Sequence, residues 1–125
     1  MTKKNTITSS DELAEIIIQA IIEKKGEEVV KLNLQEVEGA VTDYFIICQA
    51  NSPTQVIAIK DSIEEYVRKN LGEKPWHIEG TNNAEWVLLD YVNVVAHIFL
   101  PEKREFYNLE GLWADAEILE VESKN

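Results

Sequence analysis

The segment from Tyr44 to Cys48 reads Tyr-Phe-Ile-Ile-Cys and is apolar at every position. Successive side chains of a strand point to opposite faces of a sheet, so a strand with this pattern must be covered on both faces. Such strands lie at the centre of mixed or parallel sheets. The segment therefore predicts an α/β (α+β) fold in which helices flank a central strand.

Two helices have clear sequence boundaries. Residues 9–12 read Ser-Ser-Asp-Glu, an N-cap with an acidic first turn, and apolar residues then recur at helical spacing up to Lys24. Ser52 and Pro53 supply a cap and an N1 proline for a second helix, which Gly72 ends. We expect this second helix to cross the sheet.

Four further segments predict strands. Residues 30–34 alternate between apolar and polar, and residues 76–79 follow the same period. Residues 85–91 and 94–100 are separated by only two residues, which predicts an antiparallel hairpin. The opposed pairs are then Trp86 with Phe99, Leu88 with His97 and Asp90 with Val95, and all six side chains share one face.

A last helix follows Pro101. Its predicted inner side carries Phe106, Leu109 and Trp113, with Tyr107 on a flank. On one continuous helix Glu110 points outward beside Tyr107 at i,i+3. The predicted order is helix, two strands, helix, three strands, helix, in a single domain over residues 1–125 that ends in an acidic tail at 117–125.

The charge balance constrains the partners. The chain has 12 Lys and Arg against 23 Asp and Glu, a formal net charge of −11. This field repels nucleic-acid phosphates and anionic membranes, so we expect neither direct nucleic-acid binding nor membrane binding. It attracts basic surfaces, so a basic protein is the expected partner.

The single cysteine and the N-terminus bear on location. Cys48 lies inside the apolar run and reads as a small core hydrophobe in a reducing compartment. The start of the sequence has no apolar stretch or cleavage site typical of an export signal. The expected location is the cytoplasm.

No cofactor is predicted. The five glycines are too widely spaced for a phosphate-binding loop, and His77 and His97 have no second histidine or cysteine at metal-ligand spacing. We interpret His97 as a core-edge histidine satisfied by one hydrogen bond. Asp90 lies diagonally across the hairpin, within side-chain reach of His97.

One enzymatic alternative stays open at this stage. A metal-dependent nucleotidyl or phosphoryl transferase could use Asp43, Glu79 and Asp90, because carboxylates on neighbouring strands suit two-metal chemistry. Such enzymes need paired acids at alternate strand positions, and neither Asp43 nor Asp90 belongs to such a pair.

Large aromatic residues are frequent in the second half of the chain. They are Trp76, Trp86, Tyr91, Phe99, Phe106, Tyr107 and Trp113. Protein contact sites favour Trp and Tyr, although each of these residues could equally belong to the core. Aromatic residues among acids predict a docking face for a basic protein.

Three segments of the second half carry a family pattern: Trp-Val-Leu-Leu-Asp at 86–90, Val-Val-Ala-His-Ile-Phe at 94–99 and Arg-Glu-Phe-Tyr-Asn-Leu-Glu-Gly-Leu-Trp at 104–113. These segments resemble the ribosomal silencing factor family, also called Iojap. The likeness extends upstream through Thr-Asp-Tyr-Phe-Ile-Ile at 42–47, Ser-Pro-Thr-Gln-Val at 52–56 and Glu-Gly at 79–80, and covers roughly residues 11–116.

The resemblance implies a five-stranded mixed sheet similar to that of nucleotidyltransferases, without their catalytic carboxylates. It implies a non-enzymatic factor that binds protein fourteen of the large ribosomal subunit, sterically blocks joining of the small subunit and lowers translation when nutrients are scarce. An open sheet with aromatic edges is also compatible with a homodimer.

The resemblance also supplies candidate contact residues. These are Trp86, Asp90, His97, Tyr107, Leu109, Glu110 and Trp113, together with Asp43, Tyr44 and Glu79. Three regions depart from the family pattern: many relatives have a basic residue near Thr54 and a Gly-Asp type turn where Val92 and Asn93 stand, and the acidic tail from Glu117 lies outside it.

Overall fold

A computed structural model describes residues 9–121 of the chain. Its elements are α1 (Ser10–Glu23), β1 (Glu27–Asn33), β2 (Tyr44–Gln49), α2 (Pro53–Leu71), β3 (His77–Glu79), β4 (Trp86–Asp90), β5 (Val94–Phe99), α3 (Pro101–Tyr107), α4 (Leu109–Leu112) and β6 (Glu117–Glu120). Within these residues, no helix combines the length and the apolar character needed to cross a bilayer.

The strands form one mixed sheet in the order β3-β4-β5-β2-β1-β6. β2 and β5 are parallel, and the other neighbours are antiparallel. The predicted fold class is confirmed, with β2 near the centre of the sheet as its apolar pattern predicts.

The two faces of the sheet are covered differently. The main core lies under α1 and α2 and includes Leu13, Ile17, Ile46, Ile59 and Ile63. The second face carries a smaller core, and among residues 9–121 the short α3 and α4 with nearby loops lie over it. We call it the second face below.

Both predicted helix starts are confirmed. The Ser9 hydroxyl accepts the N–H of Glu12 at 3.0 Å, and the Ser52 hydroxyl accepts the N–H of Gln55 at 3.1 Å. Gly72 ends α2 with a φ of 69°. The predicted hairpin is confirmed too: all three predicted pairs, from Trp86 with Phe99 to Asp90 with Val95, occur in the register.

The predicted count of five strands is wrong, because the acidic tail supplies a sixth. Glu117–Glu120 pairs antiparallel with β1, placing Glu117 opposite Asn33 and Glu120 opposite Val30. Strand pairing uses the backbone, so acidic side chains that face solvent do not prevent it.

The prediction of one continuous last helix is also wrong. Asn108 takes a left-handed conformation, with φ 48° and ψ 57°, and separates α3 from α4. Its side-chain oxygen accepts the N–H of Gly111 at 3.2 Å, so Asn108 caps the second helix as well as ending the first.

The tip of the β4–β5 hairpin is strained. Val92 has a φ of 79°, a conformation that is an outlier for a β-branched residue. The turn holds it there: Asp90 Oδ1 accepts the N–H of Val92 at 2.7 Å, and the Thr42 hydroxyl donates to its carbonyl.

Replacing Val92 with glycine should raise the free energy of unfolding by about 1 kcal/mol. The left-handed backbone costs a non-glycine residue roughly 1–3 kcal/mol, and the greater chain entropy of glycine offsets part of the relief. Urea unfolding followed by circular dichroism measures the change. Val41 is a matched control, because it is also exposed and has no positive φ. Val41→Gly should give no gain, and an equal gain in both variants would disprove the strain.

Candidate functional site

Trp86 is the centre of an aromatic group on the second face. Its ring stacks on Phe99 with centroids 5.0 Å apart, and it lies 4.6 Å from the ring of Tyr107. The register explains the first contact, because Trp86 and Phe99 are opposed across β4 and β5. Gly80 permits the local backbone path: its φ is 90°, and a Cβ there would lie 1.9 Å from the Trp86 carbonyl oxygen.

His97 lies beneath this group and is neutral. Trp86 Nε1 donates a hydrogen bond to His97 Nδ1 at 3.1 Å, which places the imidazole proton on Nε2. Burial lowers the pKa of His97 to about 3. Within residues 9–121, Nε2 has no hydrogen-bond partner. The single hydrogen bond expected from the sequence is confirmed, but one bond does not satisfy both ring nitrogens, and His97 lies in the core rather than at its edge.

α4 and the residue that follows it also pack on the second face. Leu109 and Trp113 pack against the smaller core, and the Trp113 ring meets the edge of Phe45 at a centroid distance of 6.0 Å. Phe45 in turn lies 4.6 Å from the His97 ring. The predicted site residues Trp86, His97, Tyr107, Leu109 and Trp113 are therefore brought together on one face.

Glu110 is not the free rim carboxylate that a continuous helix predicts. The helix break brings it to Arg104, whose Nε and Nη2 donate to its two oxygens at 3.2 and 2.9 Å. Arg104 Nη1 also donates to the Glu28 carbonyl at 2.8 Å and to Gln49 Oε1 at 3.2 Å. Glu110 thus fixes α4 to α3 and, through Arg104, to β1 and β2.

Several large apolar side chains remain exposed around this group. Phe106 is 76% exposed, Leu112 73% and Tyr107 42%. Together with the half-buried Trp86 and Trp113 they form what we call the aromatic surface. Phe106 meets Tyr107 edge to face, with centroids 5.0 Å apart.

A cleft of about 520 Å³ opens beside Trp86 and Tyr107. It is lined by the polar turn 80–83 and by Glu85 and Lys103, whose side chains form an ion pair at 3.6 Å. Arg104, Leu112 and the cleft residues other than Trp86 and Tyr107 were not among the candidates predicted from the sequence. Arg104 was visible as the first residue of the 104–113 segment.

Asp43 and Tyr44 lie away from the aromatic surface. Asp43 Oδ2 accepts a hydrogen bond from the Ser10 hydroxyl at 2.5 Å, and the Tyr44 hydroxyl donates to Asp11 Oδ1 at 2.5 Å. The hydrogen bond to Asp11, with burial and nearby carboxylates, raises the pKa of Tyr44 to about 12. Both residues fasten the start of α1 to the sheet.

Asp90 and Glu79 also contact different partners. Asp90 Oδ1 accepts the N–H of Val92 and does not bond to His97, although the sequence places the two residues within side-chain reach. Glu79 lies on the exposed strand β3, where its Oε2 is 2.8 Å from His77 Nε2. Asp43, Glu79 and Asp90 therefore do not converge, and within residues 9–121 no group of three potential ligands could hold a metal ion.

Cys48 offers no nucleophile. Its side chain is fully buried, and desolvation raises the pKa of the thiol to about 12. A thiol in this environment stays protonated and inert at neutral pH, as the sequence predicts.

Comparison with known proteins gives consistent matches over nearly the whole chain. Residues 7–125 match the family model described as ribosomal silencing factor during starvation. A protein of Halalkalibacterium halodurans named ribosomal silencing factor RsfS is 40% identical over 114 residues, covering 91% of this chain and 96% of the relative. The protein of that name in Bacillus subtilis is 36% identical, covering 88% and 92%.

The fold matches a solved structure as well. A crystal structure of a Chromobacterium violaceum protein aligns with a TM-score of 0.80 at 27% identity, covering 86% of this chain and 88% of that one.

Stability should fall as the pH is lowered from neutral, because of His97. Its folded-state pKa lies below the unfolded value of about 6.5, so the unfolded state takes up the proton first. Between pH 7 and pH 5 the free energy of unfolding should drop by roughly 2 kcal/mol from this group.

Urea unfolding at both pH values measures the drop. His97→Gln keeps an acceptor for Trp86 and should remove most of the drop, whereas His77→Gln, at an exposed position, should leave it unchanged. If the drop persists in His97→Gln, groups other than His97 cause it.

Proposed function

Because this chain belongs to the ribosomal silencing factor family, we propose that it binds the large ribosomal subunit through protein fourteen at the subunit interface. The bound chain then occupies space that the small subunit needs, and it blocks subunit joining by steric exclusion. The effect is lower translation when nutrients are scarce. This action requires no catalytic group.

The aromatic surface is the observation that carries this proposal. Large apolar side chains that remain exposed on a folded domain mark sites of protein association, and Trp and Tyr are the commonest energetic anchors there. Phe106 and Leu112 are about three-quarters exposed, and Trp86 and Trp113 are held in place by packing beneath them. Preformed anchors lose little entropy on binding.

The charge of the chain supports a protein partner rather than RNA. A net charge of −11 repels ribosomal RNA and attracts basic ribosomal proteins. Attraction of this kind mainly accelerates association and is screened by salt. The chain is therefore suited to approach the ribosome at a basic protein, in the cytoplasm where ribosomes work.

The transferase alternative gains no support from the geometry. Its three acids contact different partners: Asp43 bonds to Ser10, Glu79 to His77 and Asp90 to the backbone of Val92. Two-metal chemistry needs carboxylates that converge on one point. A homodimer through the exposed apolar residues stays a prediction.

Co-sedimentation with purified ribosomal subunits tests the proposed function. We expect binding to large subunits and not to small subunits, with an affinity that falls as salt is raised. Light scattering then follows subunit joining, which the bound chain should inhibit. Equal binding to both subunits, or binding without inhibition, would contradict the proposal.

Trp86→Ala should weaken binding to large subunits by about 2 kcal/mol or more, the cost of removing an interface anchor. Trp76→Ala is the matched control, because Trp76 is 76% exposed next to β3 and lies outside the aromatic surface. It should leave the affinity nearly unchanged.

A third variant separates binding from folding. Trp86→Ala removes the stack on Phe99 and the bond to His97, so it should also lower the melting temperature. Phe106 is exposed, so Phe106→Ala should preserve the melting temperature and still weaken binding. Full affinity in both Trp86→Ala and Phe106→Ala would place the contact elsewhere.

A further inference from the structure

β6 is an edge strand that another strand could extend. All four of its residues are exposed, including the apolar Ile118 and Leu119. Its inner edge pairs with β1, and in the part of the chain that the structure describes β6 is the last strand of the sheet on that side. Edge strands of this kind expose unpaired backbone groups that can bind an additional strand.

The register identifies which backbone groups are free. Leu34 N–H bonds to the Asp43 carbonyl, so the backbone N–H and C=O groups of even-numbered β1 residues point toward β2. Val121 N–H bonds to the Val29 carbonyl, so those of odd-numbered β1 residues point toward β6. In an antiparallel ladder every second residue of β6 therefore bonds to β1. These are Glu117 and Leu119, whereas the N–H and C=O groups of Ile118 and Glu120 point away from the sheet.

The surroundings of β6 are acidic. Glu117 and Glu120 are exposed on the strand itself. A cleft of about 290 Å³ lies at the start of the strand, and its lining includes the carboxylates of Glu36, Asp115 and Glu117. A strand that docks here with Lys or Arg side chains would find carboxylates within reach, and its apolar side chains would meet Ile118 and Leu119.

A second copy of this chain fits the same edge poorly. Pairing two β6 edges would bring Glu117 and Glu120 of both copies into one short ladder, and β6 carries no basic residue to balance them. Like charges close together across strands are destabilising. The charge of the β6 edge therefore favours a basic strand over the β6 edge of a second copy.

We propose that β6 binds an extended Lys- or Arg-bearing segment of a large-subunit ribosomal protein as a seventh strand, an inference that rests on the proposed function. Backbone pairing occurs at Ile118 and Glu120, and the acids around β6 select a basic segment. This contact lies at the opposite edge of the sheet from β3 and β4, so it would widen the docking surface beyond Trp86.

Ile118→Pro tests the proposal with little change to the domain. Proline lacks an N–H, and the N–H of Ile118 points away from β1, so the β1–β6 ladder keeps its hydrogen bonds. Ile118→Ala removes the same side chain and retains the N–H. We expect Ile118→Pro to bind purified large subunits at least about fivefold more weakly than Ile118→Ala, through loss of a backbone hydrogen bond and a clash with the incoming strand.

Melting curves and sedimentation velocity complete the experiment. Leu119→Pro breaks the inner ladder and should melt at a lower temperature, whereas Ile118→Pro should melt close to Ile118→Ala. Equal affinity of the two Ile118 variants would overturn the β6 proposal and leave docking by the aromatic surface intact. If the unaltered chain fails to bind large subunits, the proposed function itself fails. If sedimentation velocity shows a wild-type dimer and Ile118→Pro dissociates it, the β6 edge binds a second copy of the chain. That result would also overturn the proposal.

Discussion

The guanidinium of Arg104 is the contact on which the docking side of this domain depends. α3 has seven residues and α4 only four, and helices this short are not stable on their own. Arg104 holds both, through a two-point ion pair with Glu110 and hydrogen bonds to Glu28 and Gln49 on β1 and β2. The pair is largely buried, so loss of one partner would leave an uncompensated charge.

This arrangement explains why the aromatic surface is both exposed and rigid. The main core under α1 and α2 stabilises the sheet, so the second face needs only partial cover. Tyr107 ends α3 and Trp113 directly follows α4, the two short helices that Arg104 fixes, and Trp86 comes from β4. Their positions are set before any partner arrives, so the domain resembles a scaffold whose binding residues lie on fixed elements.

Local signals in the sequence predicted most of the fold. The caps at Ser9 and Ser52 predicted the starts of both long helices, and the two-residue loop predicted the hairpin register. These features depend on residues that are close in sequence. The sixth strand was missed because its partner, β1, lies more than eighty residues earlier. The break at Asn108 carried a local signal, since asparagine favours both the left-handed region and helix caps.

The site was predicted less completely for the same reason. Trp86, His97 and Trp113 were placed on one surface by the hairpin register and the family resemblance, but the role of Glu110 depended on the unrecognised break. Arg104 and Glu110 are six residues apart, a spacing that does not pair side chains on a continuous helix. Only the turn at Asn108 brings the two charges together.

In this domain, the residues that attract a basic partner differ from the residues that pack against it. Carboxylates are spread over its surface and act at a distance, where they increase the rate of encounter with a basic protein. Beneath the aromatic surface lies the imidazole of His97, and burial keeps it neutral at physiological pH. A neutral imidazole accepts the Trp86 hydrogen bond without adding a charge that a partner would have to compensate. Changes of salt should therefore alter how often the partner arrives, whereas packing around Trp86 governs how long it stays.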